Sequence, residues 1–449
     1  MSDLLSIGVS GLKSYQVALS TTSDNIANTA TPGFSRRATT IKEVGRATSV
    51  SLGQTANLTG NGSYASAITR AGDAFRAADV RRTQSDLSRT TSGVAWLERV
   101  ETALAGNQLS DRIADFFNAA KGIAADPAAT APRTILLETA TSLANGFVNT
   151  GRAIDAAATD LAGTGRDAAT RLTDLSAALL QVNRGLARAT DGGSGQAALL
   201  DQRDRLLEQM SELTDIDVQL DGFGRATVRG GGVSGPVLTA FEDSAITSFA
   251  INGSGATVFS AARGGVISAL TPSGGAFAGI SDSATRIAAA REMVSTMAAD
   301  FVDTINAVQA NGRDLDGNPG AAIFAAGTPA SEISMVLADP RKIAAAAPGE
   351  GTRGNGNLAD LQAARLSGGF EARIDDFATA NGAALLARRS VADAQGSIAG
   401  TAVAARDAVS GVDIDEEAVN LIRFQQAYQA STRVIQVARE TLQAIFDIR

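Results

Sequence analysis

The chain has 449 residues, a formal net charge of −8 at pH 7, and charged residues interspersed along its length. This length predicts two to four domains with ample buried apolar surface. The acidic balance argues against a nucleic-acid binder, which would show a basic stripe. Cysteine and histidine are absent, which excludes disulfides, thiolate metal sites and the commonest general base. We therefore expect no catalytic, cofactor-binding or metal-binding residues.

No targeting or membrane-spanning segment is visible in the sequence. Met1-Ser2-Asp3 opens without a basic region, and no apolar run approaches the length that crosses a bilayer. Taken alone, these features predict a cytoplasmic protein.

An amphipathic helix is predicted at the N-terminus. Its apolar seam alternates by three and four residues and comprises Leu5, Gly8, Leu12, Tyr15, Leu19, Thr22 and Ile26. The helix should end near Asn28, because Thr31-Pro32-Gly33 predicts a turn. Residues 38–70 are interpreted as extended chain, with a hairpin as one arrangement, linking this helix to a body.

A helical body follows, interrupted by one segment of different character. Alanine-rich amphipathic segments favour long helices packed as an antiparallel bundle or rod. The predicted helices are 74–104, 109–125, 133–161, 166–190, 196–213, 283–310, 358–366 and 370–410. Residues 214–280 contain short apolar groups separated by Gly, Ser and Asn, which predicts a small inserted β domain.

The last predicted helix spans residues 413–446, and Asp413 with Glu416 resembles a capping box. Its seam comprises Leu421, Phe424, Tyr428, Ser431, Ile435, Ala438, Leu442 and Ile445. So narrow a seam needs a partner helix, and the N-terminal helix has one of matching length. Periodicity alone is equally compatible with both helices packing on a globular core.

The predicted fold class is therefore mainly α with an inserted β domain. We expect a long-helix bundle or rod whose N- and C-terminal helices pair as a coiled coil. The expected domains are residues 1–37 with 404–449 (terminal coiled coil), 38–213 with 281–403 (helical body), and 214–280 (β-rich outer domain).

Two acidic motifs are candidates for chemistry. Asp314-Leu315-Asp316-Gly317-Asn318 resembles the opening of a calcium loop, but the sixth and twelfth positions are Pro319 and Ala325 instead of Gly and Glu. A tight turn is the preferred interpretation. Asp201 and Asp204 fall on one helix face, where a solvated surface or a contact to a neighbouring helix is favoured over a paired-carboxylate hydrolase.

Several motifs carry a family resemblance. Residues 11–28, ending Asp24-Asn25-Ile26-Ala27-Asn28, and the following Thr31-Pro32-Gly33-Phe34-Ser35-Arg36 resemble the N-terminal signature of flagellar axial proteins, the family of rod, hook and hook-associated proteins. Residues 421–430 are similar to the family's C-terminal segment. Residues 200–207 (Leu-Asp-Gln-Arg-Asp-Arg-Leu-Leu) and 311–318 resemble internal segments of its hook-associated members. These motifs cover about a quarter of the chain, in family order.

The resemblance implies a structural component of the hook–filament junction that assembles without catalysis. It implies exit through the flagellar type III export channel, so the protein would be cytoplasmic before export and extracellular on the flagellum afterwards. The implied partners are the hook protein, the second hook–filament junction protein, other copies of the chain and an export chaperone (FlgN) that binds the C-terminal helix. Neither nucleic acid nor membrane insertion is implied.

Two sets of residues are expected to serve assembly. The terminal seam and helix-end set is Leu5, Leu12, Tyr15, Leu19, Asn25, Ile26, Asn28, Leu421, Phe424, Tyr428, Ile435, Leu442 and Ile445. Its heptad members should first of all stabilise the helix pair, and Tyr15 and Tyr428 would face each other. The second set, expected to contact neighbouring subunits or the chaperone, is Gln425, Gln426, Gln429 and Gln436.

Three alternatives stay open at this point. Within the same class, the chain could be a hook protein or flagellin-like, although the segments at 31–36 and 200–207 argue against this. An exported enzyme with axial-type ends, such as a wall hydrolase, would need a compact catalytic domain. A cytosolic coiled-coil adaptor would have ordered termini as a monomer.

Overall fold

The computed structural model describes residues 2–44, 62–252 and 255–447, with the backbone alone at residues 2, 3, 445 and 446. Long helices dominate this part of the chain. They are α1 (Ser2–Ala27), α2 (Ala74–Ala105), α3 (Leu109–Ile123), α4 (Thr130–Leu186), α5 (Ser194–Leu213), α6 (Gly275–Asn311), α7 (Gly356–Gly368), α8 (Phe370–Ser410) and α9 (Ile414–Asp447).

The strands form small antiparallel sheets. Their bounds are β1 (Arg37–Glu43), β2 (Ser63–Arg70), β3 (Ile216–Leu220), β4 (Ala226–Gly230), β5 (Val237–Thr239), β6 (Ile246–Ile251), β7 (Thr257–Arg263), β8 (Val266–Leu270), β9 (Phe324–Ala325) and β10 (Ser334–Met335). β1 pairs with β2 and β9 with β10, while β3–β4–β5 and β6–β7–β8 make two three-stranded sheets. Both three-stranded sheets lie between α5 and α6 in the chain, so the inserted β region is confirmed.

The helical body has an aromatic hub at Phe301 on α6. Its ring, fully buried, lies 5.1 Å from Phe370, 5.5 Å from Phe324 and 5.7 Å from Phe116, centroid to centroid. These rings come from α8, β9 and α3, and Phe147 of α4 lies 5.9 Å away. One side chain thus joins most elements of the body, and edge-on aromatic contacts add to the apolar burial.

Two predicted boundaries were wrong. The helices expected at 133–161 and 166–190 are a single helix, α4. Residues 162–165, left between the two predicted helices, are helical and include Gly163 and Gly165. A Cβ on Gly165 would lie 2.6 Å from the Phe249 ring. This glycine therefore provides room for the β6 strand to pack on the helix.

The second wrong boundary lies at the end of the β region. Helix α6 begins at Gly275 and not near residue 283. Its first turns hold Phe277 and Ile280, both buried, and the Phe277 ring stacks on Phe259 of β7 at 4.2 Å. In the sequence, these apolar residues continue the pattern of short apolar groups that predicts strands. In the structure, they belong to the helix on which the sheet packs.

Helices α1 and α9 pack along each other, which confirms the predicted pairing of the terminal helices. The β1–β2 hairpin packs on α1, while α2 runs against α8 and α6 in the body. The arrangement brings the two ends of the chain together at one site.

Candidate assembly interface

The terminal helices approach closely where small residues face each other. A Cβ on Gly8 would lie 2.7 Å from Cγ1 of Ile435, and one on Gly11 would lie 3.0 Å from Oγ of Ser431. Position 8 meets position 435 and position 11 meets position 431, so the helices run antiparallel. Gly8 and Ser431 both lie in the predicted seams, and their small size is what permits this approach.

The other seam residues are half-buried in this chain. The set is Leu5, Leu12, Tyr15, Leu19, Ile26, Leu421, Phe424, Tyr428, Ile435 and Leu442. Continuing the antiparallel register brings Tyr15 to the level of Tyr428. The side chain of Ile445 lies outside the described residues. The seam therefore buries its apolar side chains only in part when one chain is taken by itself.

Outside the seam, α9 carries two exposed apolar pairs that the sequence reasoning missed, and we call them together the second stripe. The exposed residues Arg423, Gln426, Gln429 and Arg433 lie between the two pairs. Val419, Ile422, Val434 and Val437 are exposed, and Val437 retains 60% of its surface. Gln425, Gln426, Gln429 and Gln436 are exposed beside them. The four apolar residues form two pairs with a spacing of three, a signal that helical periodicity could have revealed. Exposed apolar stripes of this kind mark surfaces that bind another protein.

Asn25 has a role that the sequence did not indicate. Its Nδ2 donates to the carbonyl of Arg37 at 2.8 Å, and its Oδ1 accepts from the backbone N–H of Arg37 at 3.0 Å. The side chain is fully buried. Its amide is therefore used within the chain, to join α1 to strand β1, and the expected role of Asn25 in subunit packing stays a prediction.

Asn28 organises the end of α1. Its Nδ2 donates to the carbonyl of Asp24 at 2.9 Å, and its Oδ1 accepts from the hydroxyl of Thr31 at 3.2 Å. Asn28 thus connects the last helical turn to the Thr-Pro-Gly turn. Earlier in α1, Ser14 donates to the carbonyl of Ser63 at 3.0 Å, and the hydroxyl of Thr21 accepts from the hydroxyl of Thr39 at 2.9 Å. The helix is therefore bonded to both strands of the hairpin.

A network of arginines and aspartates joins the hairpin to α5. Arg37 of β1 donates to Oδ2 of Asp201 at 2.9 Å, and Arg70 of β2 donates to Oδ1 at 2.6 Å. Arg70 also donates to Oδ2 of Asp204 at 2.6 Å, while Arg203 donates to Oδ1 of Asp204. We call these five residues the joint cluster. Each carboxylate oxygen accepts from a guanidinium, an arrangement that stabilises charge in a largely buried place.

The joint cluster changes the interpretation of Asp201 and Asp204. Asp201 is buried, and it contacts the hairpin in place of the solvent or neighbouring helix that was expected. A paired-carboxylate hydrolase needs an oxygen free to exchange a proton with substrate, and the bonds to arginine occupy all four oxygens. The segment at 31–36 also lies against the motif at 200–207, since a Cβ on Gly33 would lie 2.5 Å from Cγ of Arg205.

Arg36 connects the N-terminal segment to the start of α9. Its Nε donates to Oε1 of Glu417 at 2.7 Å, and its Nη2 lies 3.2 Å from Oε2 of Glu416. Its backbone N–H donates to the carbonyl of Ser410 at 2.8 Å. Asp413 caps α9 by accepting from the N–H of Asp415 and Glu416. Asp413 thus caps the helix as expected, while the side chain of Glu416, expected to complete a capping box, forms an ion pair with Arg36.

A cavity of about 590 Å³ opens beside the joint cluster, between the hairpin, α2 and α5. It is lined by apolar residues such as Phe34 and Leu200 and by cations and anions in similar number. Burial lowers the pKa of Arg81 in its wall, although Asp204 and Glu208 act in the opposite direction. Burial also opposes the charge of Arg406, but Glu208 and Asp407 raise its pKa overall.

The segment at 314–318, which resembles the opening of a calcium loop, is a turn, as the sequence analysis predicted. Oδ1 of Asp314 accepts from the N–H of Asp316 and of Asn318, both at 2.9 Å. Asp316 accepts from Arg341 at 2.5 Å and from Lys342 at 2.9 Å, and these hydrogen bonds lower its pKa. Its carboxylate therefore faces two cationic side chains.

Neither a metal-type cluster nor a bilayer-spanning helix occurs in the described part of the chain. Among residues 2–44, 62–252 and 255–447, three or more acidic side chains do not gather as a metal site. Within the same ranges, every helix is too short or too polar to cross a bilayer.

Three family profiles match the chain. The flagellar hook-associated protein FlgK helical domain matches residues 97–324, just over half of the chain. The flagella basal body rod protein profile matches residues 5–34, and the flagellar basal body rod FlgEFG protein C-terminal profile matches residues 407–448. The two terminal matches coincide with α1 and α9.

Curated relatives named flagellar hook-associated protein 1 resemble this chain. The protein of Salmonella typhimurium strain LT2 is 26% identical over 73% of this chain, and the match spans 60% of the relative's length. That of Escherichia coli K12 is 23% identical over the full length of both chains. The solved structure of the flagellar hook junction protein FlgK from Burkholderia pseudomallei is 21% identical, with a TM-score of 0.47, covering 56% of this chain and 47% of that chain.

The helical-domain profile covers just over half of the chain, and two flagellar rod-protein profiles match its two ends. The curated relatives carry the name of the same hook-associated protein. This chain therefore belongs to the family of flagellar hook-associated protein FlgK.

Proposed function

We propose that this chain is a structural component of the bacterial flagellum that forms part of the hook–filament junction. The observation that carries the proposal is the terminal helix pair. Its seam is half-buried, and α9 presents the second stripe outside the seam, at Val419, Ile422, Val434 and Val437. A helix with two apolar faces needs two neighbours, and α1 supplies one of them.

The proposed mechanism is assembly and not catalysis. The termini of the exported chain order against neighbouring axial subunits, where burial of the second stripe compensates for the lost conformational entropy. The exposed glutamines at 425, 426, 429 and 436 contact those neighbours. Head-to-side contacts between identical copies make a heterologous interface, which closes into a ring when the rotation permits.

The proposed partners are other axial proteins of the flagellum. They are the hook protein, the second hook–filament junction protein and further copies of this chain. Before export, the chaperone FlgN covers the C-terminal helix, whose apolar stripe would otherwise be exposed in the cytoplasm. The match to a hook-associated helical domain favours this role over that of a hook protein or flagellin.

We also propose a revised domain division. The expected terminal domain comprised residues 1–37 and 404–449, and the expected outer domain comprised 214–280. The hydrogen bonds from Ser14, Thr21 and Asn25 to β1 and β2 support including the hairpin in the terminal domain. The start of α6 at Gly275 supports ending the outer domain before that residue and assigning the whole of α6 to the body.

A substitution on the second stripe tests the proposal. Val437→Lys should keep the monomer's unfolding midpoint but prevent its incorporation into flagella of cells that lack the natural chain. Leu366→Lys is the matched control, because Leu366 is an apolar residue 84% exposed on the body. Incorporation of the Val437→Lys chain at the control level would contradict the proposed interface.

Limited proteolysis of the purified monomer tests the ordering step. Rapid removal of residues 1–37 and 405–449, leaving a resistant body, supports ordering on assembly. Resistance of both ends would mean that the helix pair is already stable in the free chain, as a cytosolic adaptor would require.

A further inference from the structure

The β6–β7–β8 sheet has one face that packs on the body. Thr247 of β6 donates its backbone N–H to the hydroxyl of Thr173 on α4 at 2.8 Å. Phe259 of β7 stacks on Phe277 of α6, and Phe249 lies 4.9 Å from Phe259. Because side chains alternate along a strand, the neighbouring residues form a separate, outward face.

The outward face can be read from the strand register. Ile246, Ala262 and Ile267 stand side by side across the three strands. Ser248, Ser260 and Ala269 form the next row, and Ala250 with Val258 form the last. We call these eight residues the outer sheet face. Ile267 is 75% exposed and Ile246 is 65% exposed, so these side chains project into solvent.

The outer sheet face contains no ionisable side chain. Its polar groups, the hydroxyls of Ser248 and Ser260, lie 2.8 Å apart and bond each other. The charged residue of the three strands, Arg263, alternates to the other side and donates to Asp243 at 2.7 Å. For a chain with a formal net charge of −8, a charge-free face is where two copies approach with least electrostatic repulsion.

The size of the face limits what can cover it. Eight positions with a strand spacing of about 4.8 Å and an along-strand repeat of about 6.8 Å present roughly 260 Å². A stable complex of free proteins buries about 800 Å² on each partner. The outer sheet face is therefore too small to hold a partner from solution, and it can act only on a molecule already held nearby by other contacts.

We propose that a second copy of this chain covers the outer sheet face within the assembled flagellum. This inference rests on the proposed function, because the terminal helices are what hold the copies together. The contact adds to the terminal interface and fixes the spacing of the outer domains around the junction. In the free monomer the face stays open.

Site-specific photo-crosslinking tests the inference. A benzoylphenylalanine is placed at position 267 in the full chain, and at position 266 as the control. Val266 is its neighbour on the same strand and is 65% exposed, but its register partner Arg263 lies off the outer sheet face. Irradiated flagella should yield a product of two 45.6 kDa chains from position 267, and this product should be lost in the absence of assembly.

The outcomes separate the two proposals. A chain absent from purified flagella overturns both. A chain present in flagella that gives no crosslink from position 267, an equal crosslink from position 266, or a product with a different subunit overturns the sheet contact alone. Adding Ile246→Lys should abolish the 267 crosslink while the chain is still incorporated and the monomer's unfolding midpoint is unchanged. Retention of the crosslink in that variant also overturns the contact.

Discussion

The helical body and the terminal helix pair bury their apolar residues to very different extents. In the body, Phe301 and its ring neighbours are fully buried. In the described parts of α1 and α9, the buried apolar side chains are those of two alanines, Ala18 and Ala438. The body therefore completes its own core, while the terminal pair leaves apolar side chains of α9 partly or fully exposed.

The joint cluster is where these two regions meet. Arg37 and Arg70 reach from the hairpin to Asp201 on the body, and Arg36 reaches to the start of α9. Ion pairs thus contribute to the contact between hairpin and body, whereas the centre of the body is an apolar cluster. Substitutions in the body, at the joint and in the terminal region should therefore have separable effects.

The largest effect is expected in the body. Phe301→Ala removes the ring that joins α3, α4, α8 and β9, and it should lower the free energy of unfolding by about 3–5 kcal/mol. Urea unfolding followed by the fluorescence of Trp96, the single tryptophan, measures this. Leu366→Ala is the exposed control. A loss below about 1 kcal/mol for Phe301→Ala would show that the hub is not central to the body.

The next effect is expected at the joint. Asp201→Ala leaves Arg37 and Arg70 without their shared carboxylate, and breaking a buried ion pair in this way costs about 3 kcal/mol. Hydrogen exchange should speed up in β1, β2 and α1, while peptides around Phe301 stay protected. The control is Asp79→Ala, at an exposed position on α2. It should change hydrogen exchange neither in the hairpin and α1 nor around Phe301. Equal loss of protection in hairpin and body would contradict the separation of the two regions.

A smaller and more local effect is expected at Asn25. Asn25→Leu removes both hydrogen bonds to Arg37 and leaves its backbone groups unsatisfied, at a cost of about 1–3 kcal/mol. Exchange of the amide protons at the start of β1 should accelerate. Gln16→Leu, at an exposed position on α1, is the control. An unchanged exchange rate of the Arg37 amide proton would mean that the hydrogen bonds of Asn25 do not hold β1 to α1.

The smallest effect is expected from the Asp316 turn on the body. Hydrogen bonds from Arg341 and Lys342 lower the pKa of Asp316 below its ordinary 3.8. A depressed folded-state pKa adds stability above the ordinary value, and this stability is lost as the pH falls through the folded pKa. Asp316→Asn should therefore unfold at slightly lower urea concentration than the natural chain at pH 6, and the difference should shrink below pH 4. A difference that grows on acidification would contradict the assignment.

Local sequence pattern was enough to indicate most elements of this protein. The seams at Leu5–Ile26 and Leu421–Leu442 show a period that only a helix places on one face. The glycine-rich, alternating segment after Leu213 indicated strands. The same local reasoning failed where glycine has a packing role, because the sequence around Gly165 does not show that Phe249 will lie against it.

The sequence by itself thus determined helices and strands, since these depend on periodicity within short segments. The pairing of the chain ends was one of two arrangements that the seams allowed, and the structure decided between them. Only the tertiary structure decided that Arg37, Arg70 and Asp201 form one cluster, that Asn25 bonds β1, and that Ile246 and Ile267 share a charge-free face. Contacts between different elements leave no periodic signal, whether the residues are 12 positions apart, as Asn25 and Arg37 are, or more than a hundred, as Arg37 and Asp201 are. They depend on where the packed helices bring the chain.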